Sequence, residues 1–284
     1  MDEIVLQLEF EDSKKPFGTT HDQRKGHDSM PDTSPIAIVL AAGKGTRMNS
    51  DLPKVLHEAA GKTLLTWVLD ALNDAGCHEQ IVVVGYGGEK VREHIGARTG
   101  VQFAVQQKQL GTGDAVRAAA PLIESTLATG ARSRPVVIVC GDSPLLRPSS
   151  IRRLLEAFQS MGAACLLGTA ITEDPTGLGR IVRDTNNRFV CITEEKDATE
   201  SERLIQEVNM STYIFAADQL LKALEQITTD NAAGEYYLTD CPKVLLDTGE
   251  PVDAIACLDP SESLSVNTPE QLQAVAKAFQ TMLR

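Results

Sequence analysis

From Pro35 onward the chain alternates short, almost wholly apolar runs with longer segments whose apolar residues recur at helical spacing. The runs fall at 36–40, 81–84, 136–140, 165–170 and 213–216. Runs this short, without a polar residue at every second position, read as strands buried on both faces. Between them, Leu64, Leu65, Val68, Leu69 and Leu72 form one helical stripe that stops near Gly76. Residues 115–127, 151–158 and 238–246 show similar patterns. Strands alternating with helices predict parallel βαβ units with right-handed crossovers. The expected fold class is therefore α/β, a Rossmann-like, mostly parallel sheet flanked by helices. Ligands of such sheets bind beyond the carboxyl ends of the strands.

Residues 1–34 break this pattern. "EDSKKPFGTTHDQRKGHDSMPDTS" is polar, charged and interrupted by Gly and Pro, which predicts a flexible leader. The preceding "EIVLQLEF" is strand-like and suited to a sheet edge. The predicted organisation is a leader over 1–34 and one domain over 35–284, with no internal repeat. The net charge of −12 argues against nucleic-acid and anionic-membrane partners, which need basic stripes. It leaves room for a local cationic pocket holding a small, metal-complexed anion. No apolar stretch is long enough to span a membrane and the start has no signal-peptide core, so a cytoplasmic location is expected. The six cysteines are scattered without a C-x-x-C pair, as reduced thiols would be. The five histidines offer no zinc spacing.

The candidate chemistry starts directly after the first apolar run, in "LAAGKGTRMNSDLPKVLH". This loop is neither a Walker A motif nor a dinucleotide fingerprint, because Met48 stands where the latter needs a third glycine. Gly43 and Gly45 would let backbone N–H groups approach phosphate oxygens. Arg47 offers a planar fork and Lys54 a mobile point charge. An ordinary βα turn with solvated cations is the alternative. Further on, Asp142 follows the run at 136–140 and suits either a Mg²⁺ ligand or a helix cap. "QLGTGD" combines amide side chains with glycine-exposed backbone. Gln106 and Gln109 can each donate and accept toward a base edge.

"LAAGKGTRM" with "PKVLH" resembles the opening of the sugar-phosphate nucleotidyltransferases, and more narrowly the uridylyltransferase domain of the bacterial N-acetylglucosamine-1-phosphate uridyltransferases. The resemblance continues in order through "QQKQLGTGDA", "GDSPLL", "GLGRI", "TEEKDAT", "QEVN", "NAAGEYYLTD" and "VNTPEQL". It implies the nucleotide-diphospho-sugar transferase fold and synthesis of UDP-N-acetylglucosamine and pyrophosphate from UTP and N-acetylglucosamine 1-phosphate. It implies that Leu40, Ala41, Ala42, Gly43, Gly45, Gln106, Gln109, Gly111 and Thr112 hold the nucleotide. Gly179, Glu194 and Asn209 would face the sugar, Asp142 and Asn267 would ligate Mg²⁺, and Arg47 and Lys54 would be catalytic. By itself Asn267 could equally cap the helix beginning near Pro269.

The chain departs from the family pattern at Asp114, where relatives often carry histidine, at Ser211 in "NMST", and at Cys140, often tyrosine. Asp114 would suit the first turn of a helix. Glu195, Lys196 and Asp197 could be a solvated run. Tyr236 and Tyr237 would close an acetamido-sugar pocket or pack beside the next helix. No hexapeptide repeats occur, so no left-handed β-helix domain is expected and the sugar phosphate would be supplied already acetylated.

A phosphomonoester, with a second pKa of about 6, is already ionised at neutral pH. Attack on the α-phosphorus of UTP then needs no general base, which agrees with the lack of any Ser-His-Asp or Cys-His arrangement. Positioning and charge compensation should carry an in-line displacement with no covalent enzyme intermediate. Two rivals remain. One is a nucleotidyltransferase for another sugar, alditol or pterin acceptor. The other is a catalytically silent nucleotide-sugar sensor, which should lack one of Arg47, Lys54, Asp142 and Asn267; all four are present.

Overall fold

The computed structural model describes residues 33–127 and 134–282. The predicted leader and its strand-like start lie outside the described residues, apart from Thr33 and Ser34. In chain order the strands are β1 (Ile36–Ala41), β2 (Glu58–Ala59), β3 (Lys62–Thr63), β4 (Glu79–Val84), β5 (Val101–Val105), β6 (Pro135–Cys140), β7 (Cys165–Ile171), β8 (Arg180–Arg183), β9 (Phe189–Thr193), β10 (Glu207–Ala216) and β11 (Val252–Ala256). The helices are α1 (Leu64–Asp74), α2 (Gly88–Ile95), α3 (Thr112–Leu127), α4 (Pro148–Met161), α5 (Ala217–Gln226), α6 (Cys241–Asp247) and α7 (Pro269–Met282).

The main sheet runs in the order β11-β7-β10-β6-β1-β4-β5, with β8 and β9 attached through β10. β1 pairs in parallel with β4 and β6, β4 with β5, and β11 with β7. The exceptions to the predicted parallel pattern are β10, antiparallel to β6, β7 and β8, and the antiparallel pair β8–β9. The direction of β10 has a local cause. β7 and β10 are joined through the antiparallel pair β8 and β9 rather than through a crossover helix, and only a crossover returns the chain in parallel. None of the described residues forms a left-handed β-helix. Among them, no helix is long and apolar enough to cross a membrane.

Burial on both faces explains the apolar runs. Along β1, Ile36 and Ile38 enter the core shared with α3, α5 and α6, while Ala37, Val39 and Ala41 enter the one shared with α1 and α4. A third cluster lies off the sheet. It joins Met48, Leu145, Val266 and the α7 residues Val275 and Phe279, with Trp67 stacked on Phe279 at 4.5 Å between centroids. This cluster fastens the segments that follow β1 and β6 to α7 and to Val266 just before it.

Those segments matter because of the chain's path. It leaves β1 for β4 and β5 on one side, then crosses to β6 on the other. The carboxyl ends of β1 and β6 thus flank a topological switch point, where open α/β sheets leave a crevice for ligands.

Candidate active site

A cavity of about 230 Å³ opens at this switch point. The end of β1 contributes Leu40, Ala41, Ala42 and Gly43, and the segment after β5 contributes Gln106, Gln109, Gly111 and Thr112. Lys54, Cys140 and Asp142 complete the floor, with Val55, Ala115 and the exposed Glu235 beside them. A larger hollow of about 540 Å³ lies at the opposite end of the strands, around Pro135, Phe158 and Pro251, and holds none of the predicted site residues.

Lys54 is the centre of charge in the crevice. Its ammonium donates to Asn267 Oδ1 at 2.8 Å and pairs with the Asp142 carboxylate. Both carboxylate and lysine are largely shielded, with side chains 14% and 13% exposed. Neither of the alternative helix-capping roles is taken. No side chain caps α4, whose start is instead tied to Glu262, which accepts from Arg147 N and Ser150 Oγ. Thr268 caps α7, accepting from Gln271 N while Gln271 Oε1 accepts from Thr268 N. The Asn267 side chain is thereby left to face Lys54, and Val266 N donates to Asp142 O to tie the two segments together. Gly45 permits the arrangement: it has φ +62°, and a Cβ there would lie 2.7 Å from Lys54 Cβ.

The amide-lined side of the cavity is a loop clamped from outside. Tyr236 N donates to Leu110 O, Gly113 N donates to Tyr236 O, and Leu238 N donates to Thr112 Oγ1. A Cβ on Gly111 would meet Tyr236 O at 2.5 Å, and its φ of +113° disfavours any other residue. The Tyr236 ring lies 4.1 Å from the Arg117 guanidinium, and that guanidinium donates to Leu224 O and Ile227 O. Tyr236 is therefore part of the clamp.

On the far side, Gly179, Glu194 and Asn209 do come together. Asn209 N donates to Gly179 O at 2.8 Å, and Glu194 Oε1 accepts from Thr239 Oγ1 at 3.0 Å. The Asn209 amide already donates to the Tyr213 hydroxyl and accepts from Ser211 N. Of the run Glu195, Lys196 and Asp197, the last two are exposed, while Glu195 is half-buried. Glu195 binds Gly177 N and the fully buried Arg180, and Asp197 accepts from Ala232 N. The Ser211 departure has a visible cost: it sits at φ +49° where β10 shifts register between Asn209 and Thr212. A left-handed L-residue costs about 1–2 kcal/mol, of which glycine's greater entropy loss gives back about 0.5–1 kcal/mol. Ser211→Gly should thus stabilise the protein by about 0.5–1 kcal/mol, as urea denaturation would measure.

Burial pushes the Glu194 carboxyl above the ordinary glutamate value; the Thr239 hydroxyl opposes this, and the charges of Asp197 and Asp240 add to it. The folded protein holds this proton more tightly than the unfolded chain. Its contribution to stability is full below the ordinary value and is lost as pH rises through the folded value. Glu194→Gln should therefore raise the melting temperature near pH 8, with the gain shrinking toward about pH 5. Melting curves of both proteins across that range check the sign.

Arg47 stands apart. It is exposed on the short 3-10 turn Thr46–Met48, does not line the cavity, and makes no ion pair or side-chain hydrogen bond among the described residues. Lys44 lies over the Tyr86 ring at 5.4 Å. Of the three cations in the opening loop, only Lys54 is turned inward. Cys140 lines the cavity, its thiol pushed up to about 12 by burial and the Asp142 charge, so it is not a nucleophile at neutral pH. All six cysteines are free thiols. Sequence reasoning missed Thr239 and Glu235, whose only signal was membership in "GEYYLTD".

The chain is similar to known proteins over most of its length. The MobA-like NTP transferase domain matches residues 37–239. The bifunctional protein GlmU of Heliobacterium modesticaldum is 45% identical over 248 residues, covering 87% of this chain and 52% of that protein. The GlmU of Geobacter metallireducens is 44% identical over 236 residues, covering 83% of this chain and 48% of its own. The chain thus spans about half the length of the curated relatives it matches. A crystal structure of UDP-glucose pyrophosphorylase complexed with UDP-glucose superposes with a TM-score of 0.67 over 88% of this chain and 100% of that one. At 15% identity that likeness is one of fold. These relatives bear out the family resemblance read from the sequence, and the match over residues 37–239 means that the chain belongs to the MobA-like NTP transferase domain family.

Proposed function

We propose that this chain is a uridylyltransferase that joins UTP and N-acetylglucosamine 1-phosphate into UDP-N-acetylglucosamine, releasing pyrophosphate. The observation that carries it is the meeting of Lys54, Asp142 and Asn267 beside an amide-lined loop at the switch point. The resemblance supplies the identity of the two substrates.

The donor set suits a hard cation. A carboxylate and an amide oxygen already converge on the Lys54 ammonium, and Mg²⁺ takes few protein oxygens alongside substrate phosphates and water. Asp142 and Asn267 would hold the ion, which when bound supplies Lewis-acid compensation for triphosphate charge. Lys54, on a flexible stem, would steer the attacking phosphate toward the α-phosphate. The space beside Gly43 is open, with nothing within 4 Å of its Cβ position, and its backbone N–H would serve the triphosphate there. Arg47, exposed on the 3-10 turn that follows β1, would close on the departing pyrophosphate. The acceptor oxygen forms its bond to the α-phosphorus as the bond to the β-phosphate oxygen breaks. No proton moves, so no side chain is needed as a base. Gly179, Glu194 and Asn209 would orient the sugar, with Glu194 accepting from a hydroxyl.

A pyrophosphate-release assay tests this directly. UTP, dTTP, CTP and ATP are each crossed with several hexose 1-phosphates, with and without Mg²⁺. UTP with N-acetylglucosamine 1-phosphate should give the highest kcat/KM, and only with the metal. A different preferred pair, or no release with any pair, would contradict the proposal.

A further inference from the structure

Gln106 is 5% exposed, yet it lines the cavity. Its Nε2 donates to Gly111 O at 3.0 Å and to Asp114 Oδ2 at 2.8 Å. Two acceptors on one amide nitrogen dictate the amide's orientation. Turning it over would set Oε1 against a carbonyl oxygen and a carboxylate oxygen, leaving both without a donor. Its Oε1 accepts nothing among the described residues and is not sealed from solvent; Gln106 borders both this cavity and a second hollow of about 340 Å³ shared with Asp114 and Arg117. Gln106 therefore presents an acceptor only.

The carboxylate responsible is not claimed elsewhere. Asp114 sits in the first turn of α3 and makes no ion pair among the described residues. Arg117, one turn along, is committed to Leu224 O, Ile227 O and the Tyr236 ring. The backbone of Gln106 is held too, its N–H donating to Val84 O at 2.8 Å. Backbone, amide and orientation are all fixed before any ligand arrives.

Pyrimidines differ at the atom such an acceptor would meet. Uracil and thymine carry a donor at N3, whereas cytosine carries an acceptor there. A free glutamine meets either by turning its amide; a locked one meets only the N3–H. We propose that Asp114 is a positioning residue for base choice: by holding the Gln106 amide it selects an N3–H pyrimidine and rejects cytosine. This deepens the proposed function and rests on the reading of Gln106 as a residue that meets the edge of the base.

The test compares wild type, Asp114→Ala and Asp114→Asn in equilibrium binding of UTP and CTP by calorimetry, a readout independent of turnover. Asparagine keeps an oxygen that can accept from Gln106 Nε2; alanine removes it. Wild type should prefer UTP. In Asp114→Ala the UTP-to-CTP affinity ratio should fall by on the order of tenfold, the effect of one such hydrogen bond, and Asp114→Asn should recover most of it. Melting curves verify that both variants are folded, and Asp114→Asn keeps the test alive if the alanine variant is not. Equal ratios in wild type and Asp114→Ala, no recovery by asparagine, or no preference in wild type would overturn the inference. Failure of the pyrophosphate assay is a separate result, since the binding ratio is measured without catalysis.

Discussion

Arg47→Ala should lower kcat by about 10²–10³-fold while leaving stability within about 0.5 kcal/mol of wild type. The combination is what makes the experiment informative. Arg47 is exposed, sits on a single 3-10 turn, and holds nothing else in place among the described residues. Its loss should therefore not move the melting curve. A donor that acts only on charge developing in the transition state is worth about 2.7–4 kcal/mol. Arg47→Lys should restore part of the rate, because an ammonium keeps the charge and loses the planar fork. Turnover within about threefold of wild type would remove Arg47 from the reaction.

Lys54→Ala should cost both rate and stability. The rate loss is again about 10²–10³-fold, as for a lost transition-state cation. The stability loss has a different origin. Lys54 bridges Asp142 and Asn267 in a largely shielded crevice, and its removal leaves a carboxylate and an amide oxygen without a donor. Unpaired groups of this kind cost about 1–3 kcal/mol. A divalent cation can take the same two oxygens, so added Mg²⁺ should raise the melting temperature of Lys54→Ala more than that of wild type. Differential scanning fluorimetry with and without the metal reads this without any assay of activity. Equal metal effects on the two proteins would separate Lys54 from the metal ligands.

These predictions rest on parts of the molecule that differed in how legible they were. Strands buried on both faces announced themselves, because nothing polar survives in β1, β6 or most of β7. Strands β5, β8, β9 and β11 did not. Each has a partly exposed face, and their short mixed runs look like loop. Nothing in β10 itself encodes its antiparallel direction; that follows from the absence of a helical pattern between Ile171 and Glu207, a signal visible only in hindsight.

The site divides the same way. The opening loop and "QLGTGD" were readable because glycines, amides and cations concentrate there. Asn267 was not readable by spacing, since 213 residues separate it from Lys54, and only the family resemblance brought it in. Arg47 and Lys54 looked alike as cations, yet the fold turns one outward and the other onto a carboxylate. Asp114 looked like an ordinary first-turn acid. Its bond to Gln106 depends on how the Gly111 turn folds back against Tyr236, which no local pattern reveals.

The central claim is that two polyanions meet head-on beside Lys54 in the switch-point crevice and exchange partners in one displacement, with no nucleotidylated side chain between. The stereochemistry at the α-phosphorus tests it most directly. UTP carrying a single sulfur diastereomer at that phosphorus should give a nucleotide sugar with inverted configuration, resolved by ³¹P NMR. Retention would mean two displacements through a covalent enzyme intermediate, and would contradict the single in-line exchange.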